Sequence, residues 1–472
     1  EPPGLARRRR RGRPARDALS EPASYRVVRA LARLLAAVFY RRIDVLGAER
    51  VPATGPLVVA ANHHNALVDG VLLLAALPRR LVPVAKAPLF AHPLIGPFLR
   101  LTGALPVHRR QEGGADPARN AALFAALTAA LARGLAVLIF PEGVSQPQPT
   151  LMPLRTGAAR IALAAESAGV SGVTVLPVGL MFHEPGTFRT GWALIAVGEP
   201  IAVGGAPAGP VGEDTVRALT ARLEEALRRL LAEVDDRHTL RLVEHAERLW
   251  RQERSGAAWD AAARAAWRRR AARAYRYLRD ADPVELGILR NRMERYAKDV
   301  EEAGLRTSAT LHPPSARVAL TFAARQLAAL LGGLPLALWG LASHLTPYWL
   351  TWVTARLLRP QPDVEATYKL AAGVVFFPLA WVVEGWLLWR AGGGWPLALF
   401  IALLVPGGFF ALAWSERLRR LARETRALLR LLLDRDLARH LAARRRALLE
   451  DMDAAVARVP ETVLAGGEEA RG

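Results

Sequence analysis

The stretch LVVAANHHNALVDGVLLLAAL (57–77) runs from one apolar segment, through a polar cluster, into a second apolar segment. Its first part, 57–62, reads as a buried strand, and 68–77 reads as a helix that follows it. His64 and Asp69 are five positions apart, which is not a same-face spacing within one regular helix. They can meet if His64 sits at the strand-to-helix turn and Asp69 on the first turn of the helix. The carboxylate then holds one imidazole nitrogen and leaves the other to take a proton from a hydroxyl. Taken alone, His63 and His64 also fit as loop histidines at a strand end. A metal cluster of His63, His64 and Asp69 is disfavoured, because adjacent histidines point apart in extended chain and no further ligand motif occurs.

Outward from this stretch, short β-like runs alternate with helical ones. ALPV (104–107), LAVLIF (135–140), VTVLPVGLMF (173–182) and WALIAVG (192–198) read as strands. Residues 117–134 and 156–169 read as helices. The alternation predicts an α/β fold, a mixed sheet flanked by helices.

Four further segments occur in order: KAPLFAHPLIGPFLRLTGALPVHRR (86–110), FPEG (140–143), LMPLRTGAARIAL (151–163) and VLPVG (175–179). With NHHNALVD (62–69) they resemble the four-block pattern of the glycerolipid acyltransferase family, which includes glycerol-3-phosphate and 1-acylglycerol-3-phosphate acyltransferases. The resemblance covers about 45–205 and implies a catalytic domain of that kind. It implies His64 as general base and Asp69 as its orienting acid. It places Arg109, Glu142 and Gly143 at the acceptor phosphate, and Gly103, Lys86 and Pro177 at acyl-donor or structural positions. Many members continue the third block with Thr-Arg, whereas here Val144 and Ser145 follow Gly143. Arg155 or Arg110 is expected to supply the missing cation. The order of segments looks like the fungal-type glycerol-3-phosphate acyltransferases and their bacterial relatives, where hydrophobic segments follow the catalytic domain. DVEATYKL (363–370) ahead of an apolar run adds to that likeness.

Composition bounds the chemistry. The 472 residues contain no cysteine, which excludes a disulfide, a thiolate metal site and a cysteinyl acyl-enzyme. No G-x-S-x-G elbow occurs, so direct attack of a hydroxyl on a thioester is the expected route. No bound cofactor or metal is expected; acyl-CoA or acyl-ACP would serve as co-substrate. The formal net charge of +21 points to anionic partners such as a membrane surface, phosphorylated substrates or coenzyme A. Few aromatics interleave the basic runs, which argues against nucleic acid.

Six regions are expected: a basic tail (1–22), an interfacial amphipathic helix (23–44), the catalytic domain (45–205), a basic helical region (206–316), membrane segments (317–415) and a basic helical tail (416–472). His238 and His245 in the helical region lack a convergent third ligand. Spans are expected at 370–389 and 395–414, each long enough for about 30 Å of hydrocarbon. The stretch 327–355 is interrupted by Gly332, Gly333, Pro335 and Pro347 and either spans or is re-entrant. The positive-inside rule favours the re-entrant form, with Arg356, Arg359 and the tail on the side of the catalytic domain. An integral protein of a bacterial inner membrane, with its catalytic domain cytoplasmic, is the expected setting.

The expected function is O-acyl transfer to glycerol 3-phosphate or 1-acylglycerol 3-phosphate in phospholipid biosynthesis. A different lysophospholipid or lipid alcohol is the alternative acceptor. A non-enzymatic membrane protein binding anionic lipid is the alternative from another class, though it leaves the order of acid, base and arginines unexplained.

Overall fold

A computed structural model describes residues 21–93, 95–108, 117–183, 188, 191–204, 211–255, 259–303, 305, 316–361 and 364–465. Its centre is an eight-stranded mixed sheet. The strands are β1 (Arg42–Leu46), β2 (Leu57–Ala61), β3 (Leu81–Lys86), β4 (Leu105–Val107), β5 (Ala136–Ile139), β6 (Thr174–Phe182), β7 (Trp192–Val197) and β8 (Ile201–Ala202). They lie in the order β1-β7-β6-β2-β5-β3-β4, with β8 paired to β6. The five strands β6, β2, β5, β3 and β4 are mutually parallel, while β7 and β8 run antiparallel to β6.

All five residues of β2 are buried, as expected of a central strand covered on both faces. Leu57, Val59 and Ala61 face a core layer shared with α1 (Ala23–Phe39) and α2 (Ala66–Ala76). Val58 and Ala60 face the opposite layer, made by α4 (Pro117–Ala132), α5 (Gly157–Ser167) and α6 (Glu213–Leu230). The period of two along the strand thus sorts its side chains into two layers.

Two expected boundaries shift. In α1, Tyr25, Val28, Ala32, Ala36 and Phe39 are buried on the domain, while Leu31 and Leu34 stay exposed. Arg29 anchors the helix by donating to the carbonyls of Leu77 and Arg79. The segment is therefore a packed element of the catalytic domain. At the other end, Val216, Leu219, Leu223 and Leu227 of α6 complete the second core layer, so the division expected near 205 falls inside the α/β unit.

Four further helices, α7 (Arg237–Trp250), α8 (Ala261–Ala281), α9 (Pro283–Glu302) and the later α13 (Arg435–Ala457), form a bundle with the short α14 (Glu461–Ala465). Leu441, Leu448, Leu449 and Met452 of α13 pack against Met293, Tyr296 and Val300 of α9. Residues after the apolar region thus fold back onto those before it.

Between them come α10 (Ala316–Leu358), α11 (Glu365–Gly392) and α12 (Gly394–Leu433), each containing a stretch long and apolar enough to cross a membrane. Where a re-entrant dip was favoured, α10 is one continuous helix through Pro335 and Pro347. Its glycines serve close packing. A Cβ on Gly340 would collide with the Gly407 backbone, and one on Gly333 with Phe410, the use of small residues typical of apolar helix pairs.

Candidate active site

The site lies at the carboxyl ends of the parallel strands, where ligand crevices form in open α/β sheets. Asn62 follows β2 and ties it across to β6: its Nδ2 donates to the Leu180 carbonyl at 2.9 Å, and its Oδ1 accepts the Leu180 N–H at 2.6 Å. The chain then turns through His63, His64 and Asn65 into α2. Ala66 takes a φ of 41°, a left-handed conformation costly for a residue bearing a Cβ. Asp69, fully buried on the first turn of α2, holds this turn. Its Oδ2 accepts the backbone N–H groups of His64 and Asn65, each at 2.8 Å.

The imidazole that meets Asp69 is that of His63, with Nδ1 at 2.9 Å from Oδ2. This corrects the expected pairing. His64 gives Asp69 only its backbone N–H, while its ring turns inward, with Nδ1 at 3.1 Å from the Gln146 carbonyl oxygen. Adjacent residues in extended chain point to opposite sides, so one of the two rings must leave the carboxylate. Burial lowers the His64 pKa to about 4 against the opposing pull of Asp69. His64 is therefore neutral and donates Nδ1–H to Gln146. His63 stays partly accessible and stacks on Phe140 of the neighbouring β5 strand end, with centroids 4.0 Å apart.

Glu142 stands just beyond β5, next to β2 in the sheet. Its Oε1 accepts the His63 N–H at 2.7 Å and its Oε2 the Met152 N–H at 3.1 Å. Burial pushes this carboxyl up to about 7, opposed by those two hydrogen bonds. Gly143 follows at φ 76°, and a Cβ there would run into the side chain of Arg155. Arg155 thus lies exposed across the Glu142–Gly143 turn. Lys86 is exposed at the end of β3, paired with Val107 of β4. β4 delivers His108 to the same edge; Arg109 and Arg110, which follow, lie outside the described residues. Gly103 makes the turn into β4 at φ 76°. Pro177 is buried in β6 opposite Ala60, its carbonyl accepting the Gly198 N–H.

The loop over this edge is held from both sides. Gln146 receives the His64 ring hydrogen bond and donates its own N–H to the His63 carbonyl. Leu151 donates its N–H to Oε1 of Glu233, a buried residue between α6 and α7, at 2.9 Å. Oε2 of Glu233 faces Arg276 of α8 at 3.3 Å. Asn62, Gln146 and Glu233 went unnoticed in the sequence. A buried amide ending an apolar strand was a usable signal for Asn62, but nothing local marks Glu233. Among the described residues no three His, Asp or Glu side chains are grouped to hold a metal.

Residues 23–181 match the family model described as Acyltransferase. Mouse 1-acyl-sn-glycerol-3-phosphate acyltransferase alpha is 29% identical over 143 residues, covering 30% of this chain and 46% of that protein. The human protein of the same name is 26% identical over 199 residues, covering 41% and 65%. Glycerol-3-phosphate O-acyltransferase 2 of Saccharomyces cerevisiae is 35% identical over 117 residues, covering 24% and 16%. The chain thus spans less than two thirds of these relatives. Among solved structures, the 1-acyl-sn-glycerophosphate acyltransferase PlsC from Thermotoga maritima matches with 22% identity and a TM-score of 0.34, over 43% of this chain and 77% of that one. The chain therefore carries, over residues 23–181, a domain of the acyltransferase family, with glycerolipid acyltransferases among its relatives.

Proposed function

We propose that the protein moves a fatty acyl group from an acyl thioester to a hydroxyl of glycerol 3-phosphate or 1-acylglycerol 3-phosphate. The observation that carries this reading is the 2.9 Å contact between His63 Nδ1 and Asp69 Oδ2 at the sheet edge. With its Nδ1–H held by a buried carboxylate, His63 presents Nε2 as the basic nitrogen. That nitrogen takes the proton of the acceptor hydroxyl as its oxygen attacks the thioester carbonyl. The tetrahedral intermediate then expels the thiolate, which takes the proton back from the imidazolium, leaving an ester and a free thiol. General-base help of this kind is worth about 10²–10⁴ in rate.

Glu142 is a positioning residue in this scheme. A carboxylate engaged by two backbone N–H groups supports the His63 turn and is poorly suited to grip a phosphate. Arg155, across the neighbouring Gly143, is the described cation best placed for that task, with a guanidinium suited to bidentate phosphate recognition. The names of the relatives supply the acceptor class. Purified protein given labelled acyl-CoA or acyl-ACP and either glycerol 3-phosphate, 1-acylglycerol 3-phosphate or a phosphate-free monoacylglycerol tests the reading. Transfer to a phosphorylated acceptor, with Arg155→Ala raising its KM, is expected. Preference for the phosphate-free alcohol would overturn the assignment of Arg155.

A further inference from the structure

The apolar helices present a problem of parity. The bundle packs α13 against α9, so the chain leaves for the apolar region and returns from it on one side. Three crossings would put those two ends on opposite sides.

The contacts of α10 show which helix is the exception. Near its start, Gln326 accepts a hydrogen bond from Arg417 at 2.6 Å. The next residue back, Glu416, pairs at 3.3 Å with Arg41, just ahead of β1. Further along α10, the Tyr348 ring lies 5.5 Å from Phe188, which in turn sits 6.0 Å from Phe39 of α1. Immediately after α10, Ala366 on the first turn of α11 is completely buried in the core shared with α2, and Leu370 packs there too. Both ends of α10 are therefore tied to the catalytic domain. Its 43 residues at ~1.5 Å each make a rod of about 64 Å, roughly twice the hydrocarbon thickness.

We propose that α10 does not cross the membrane but lies along it, its outer face seated in the leaflet nearest the catalytic domain. Only α11 and α12 cross, as a hairpin that turns at Gly393. The outer face of α10 carries Leu327, Leu331, Leu338, Leu345, Trp349 and Trp352, all exposed and spaced by three, four or seven, which places them along one side. The opposite side, with Leu330, Ala337 and Gly340, is turned inward against its neighbours. Trp386, Trp389 and Trp395 stand exposed around the α11–α12 turn, where an aromatic belt would mark the far interface. Arg356, Arg359, Arg417, Arg419 and Arg420 all fall at the ends assigned to the catalytic side, against a single Arg390 near the turn. The occupant of the α10 face is thus lipid, from one leaflet only.

The absence of cysteine makes the test direct. Single variants Asp214→Cys on the exposed surface of α6, Gln361→Cys between α10 and α11, Gly394→Cys at the hairpin turn and Arg439→Cys on α13 are placed in sealed vesicles of one orientation. Each is first checked for a wild-type thermal midpoint and then treated with a membrane-impermeant maleimide. Asp214, Gln361 and Arg439 variants should label from one side, and the Gly394 variant from the other. Gln361→Cys labelling opposite Asp214→Cys would overturn the placement of α10, and Arg439→Cys doing so would overturn the parity argument. Labelling of Gly394→Cys on the side of Asp214→Cys would overturn the crossing hairpin. None of these readouts depends on the acyl-transfer reading.

Discussion

Two adjacent histidines share one turn but not one role. His63 reaches the Asp69 carboxylate, whereas His64 is buried against Gln146 and edge-on to Phe182. The folded protein keeps His64 neutral to about pH 4, while an unfolded histidine protonates near 6.5. Between these values the unfolded chain binds the extra proton, so acidification through that window removes stability. Thermal midpoints should fall from pH 6.5 toward 4.5, and His64→Asn should flatten that fall; an unchanged slope would reject the buried neutral role. Glu142 has the opposite sign. Its carboxyl titrates near 7 when folded, above its unfolded value, so its contribution diminishes as pH rises through that range. Glu142→Gln leaves one of two backbone donors facing an amide NH2, at a cost of ~1–3 kcal/mol. Expressed at the His63 turn, this predicts a loss of kcat of about ten- to hundredfold, with wild-type kcat as the contrary result. The sequence made Asp69 and the strand-to-helix turn legible. It did not reveal which ring turns inward, because that depends on Gln146 and Phe182, each remote in the chain.

At the scale of elements, the alternation of apolar runs located the strands well, since a buried parallel strand reads as a continuous apolar run. The boundary after β8 was less legible. The amphipathic pattern of α6 shows that one face is buried but not that the sheet buries it. The same blindness hid Glu233, which lies outside residues 23–181 yet holds the loop over the site through Leu151. Glu233→Ala should lower kcat more than it changes KM, and Glu233→Gln should retain most activity, because its carbonyl still accepts the Leu151 N–H. Equal losses in both variants would point to the Arg276 ion pair instead. For the apolar helices, Gly340 lets α10 approach the backbone of Gly407, whereas Gly332 has open space around it. Gly340→Val should lower the thermal midpoint in detergent, consistent with an overpacking cost of ~1–3 kcal/mol, while Gly332→Ala should be tolerated. Similar midpoints for both would show that the α10–α12 approach is not tight.

For the molecule as a whole, the last residues are part of its body. Arg445 is buried in the bundle, donating to the Tyr296 hydroxyl at 2.9 Å and pairing with Glu253. The basic character of 416–472 suggested a tail, since arginines on amphipathic helices read alike whether they meet lipid or carboxylates from another helix. Many meet carboxylates: Arg458 pairs with Asp282 and Glu285, and Arg444 with Asp299. This return places the membrane helices between two parts of one bundle, and the family domain beside them. The account's central claim is that this assembly transfers acyl groups with His63 as base. Its most direct test is the single-turnover rate of acyl transfer by full-length protein in lipid vesicles, compared among wild type, His63→Gln and His64→Gln at saturating acceptor. His63→Gln should lose about 10²–10⁴ in rate, with His64→Gln retaining far more; a collapse confined to His64→Gln would contradict it.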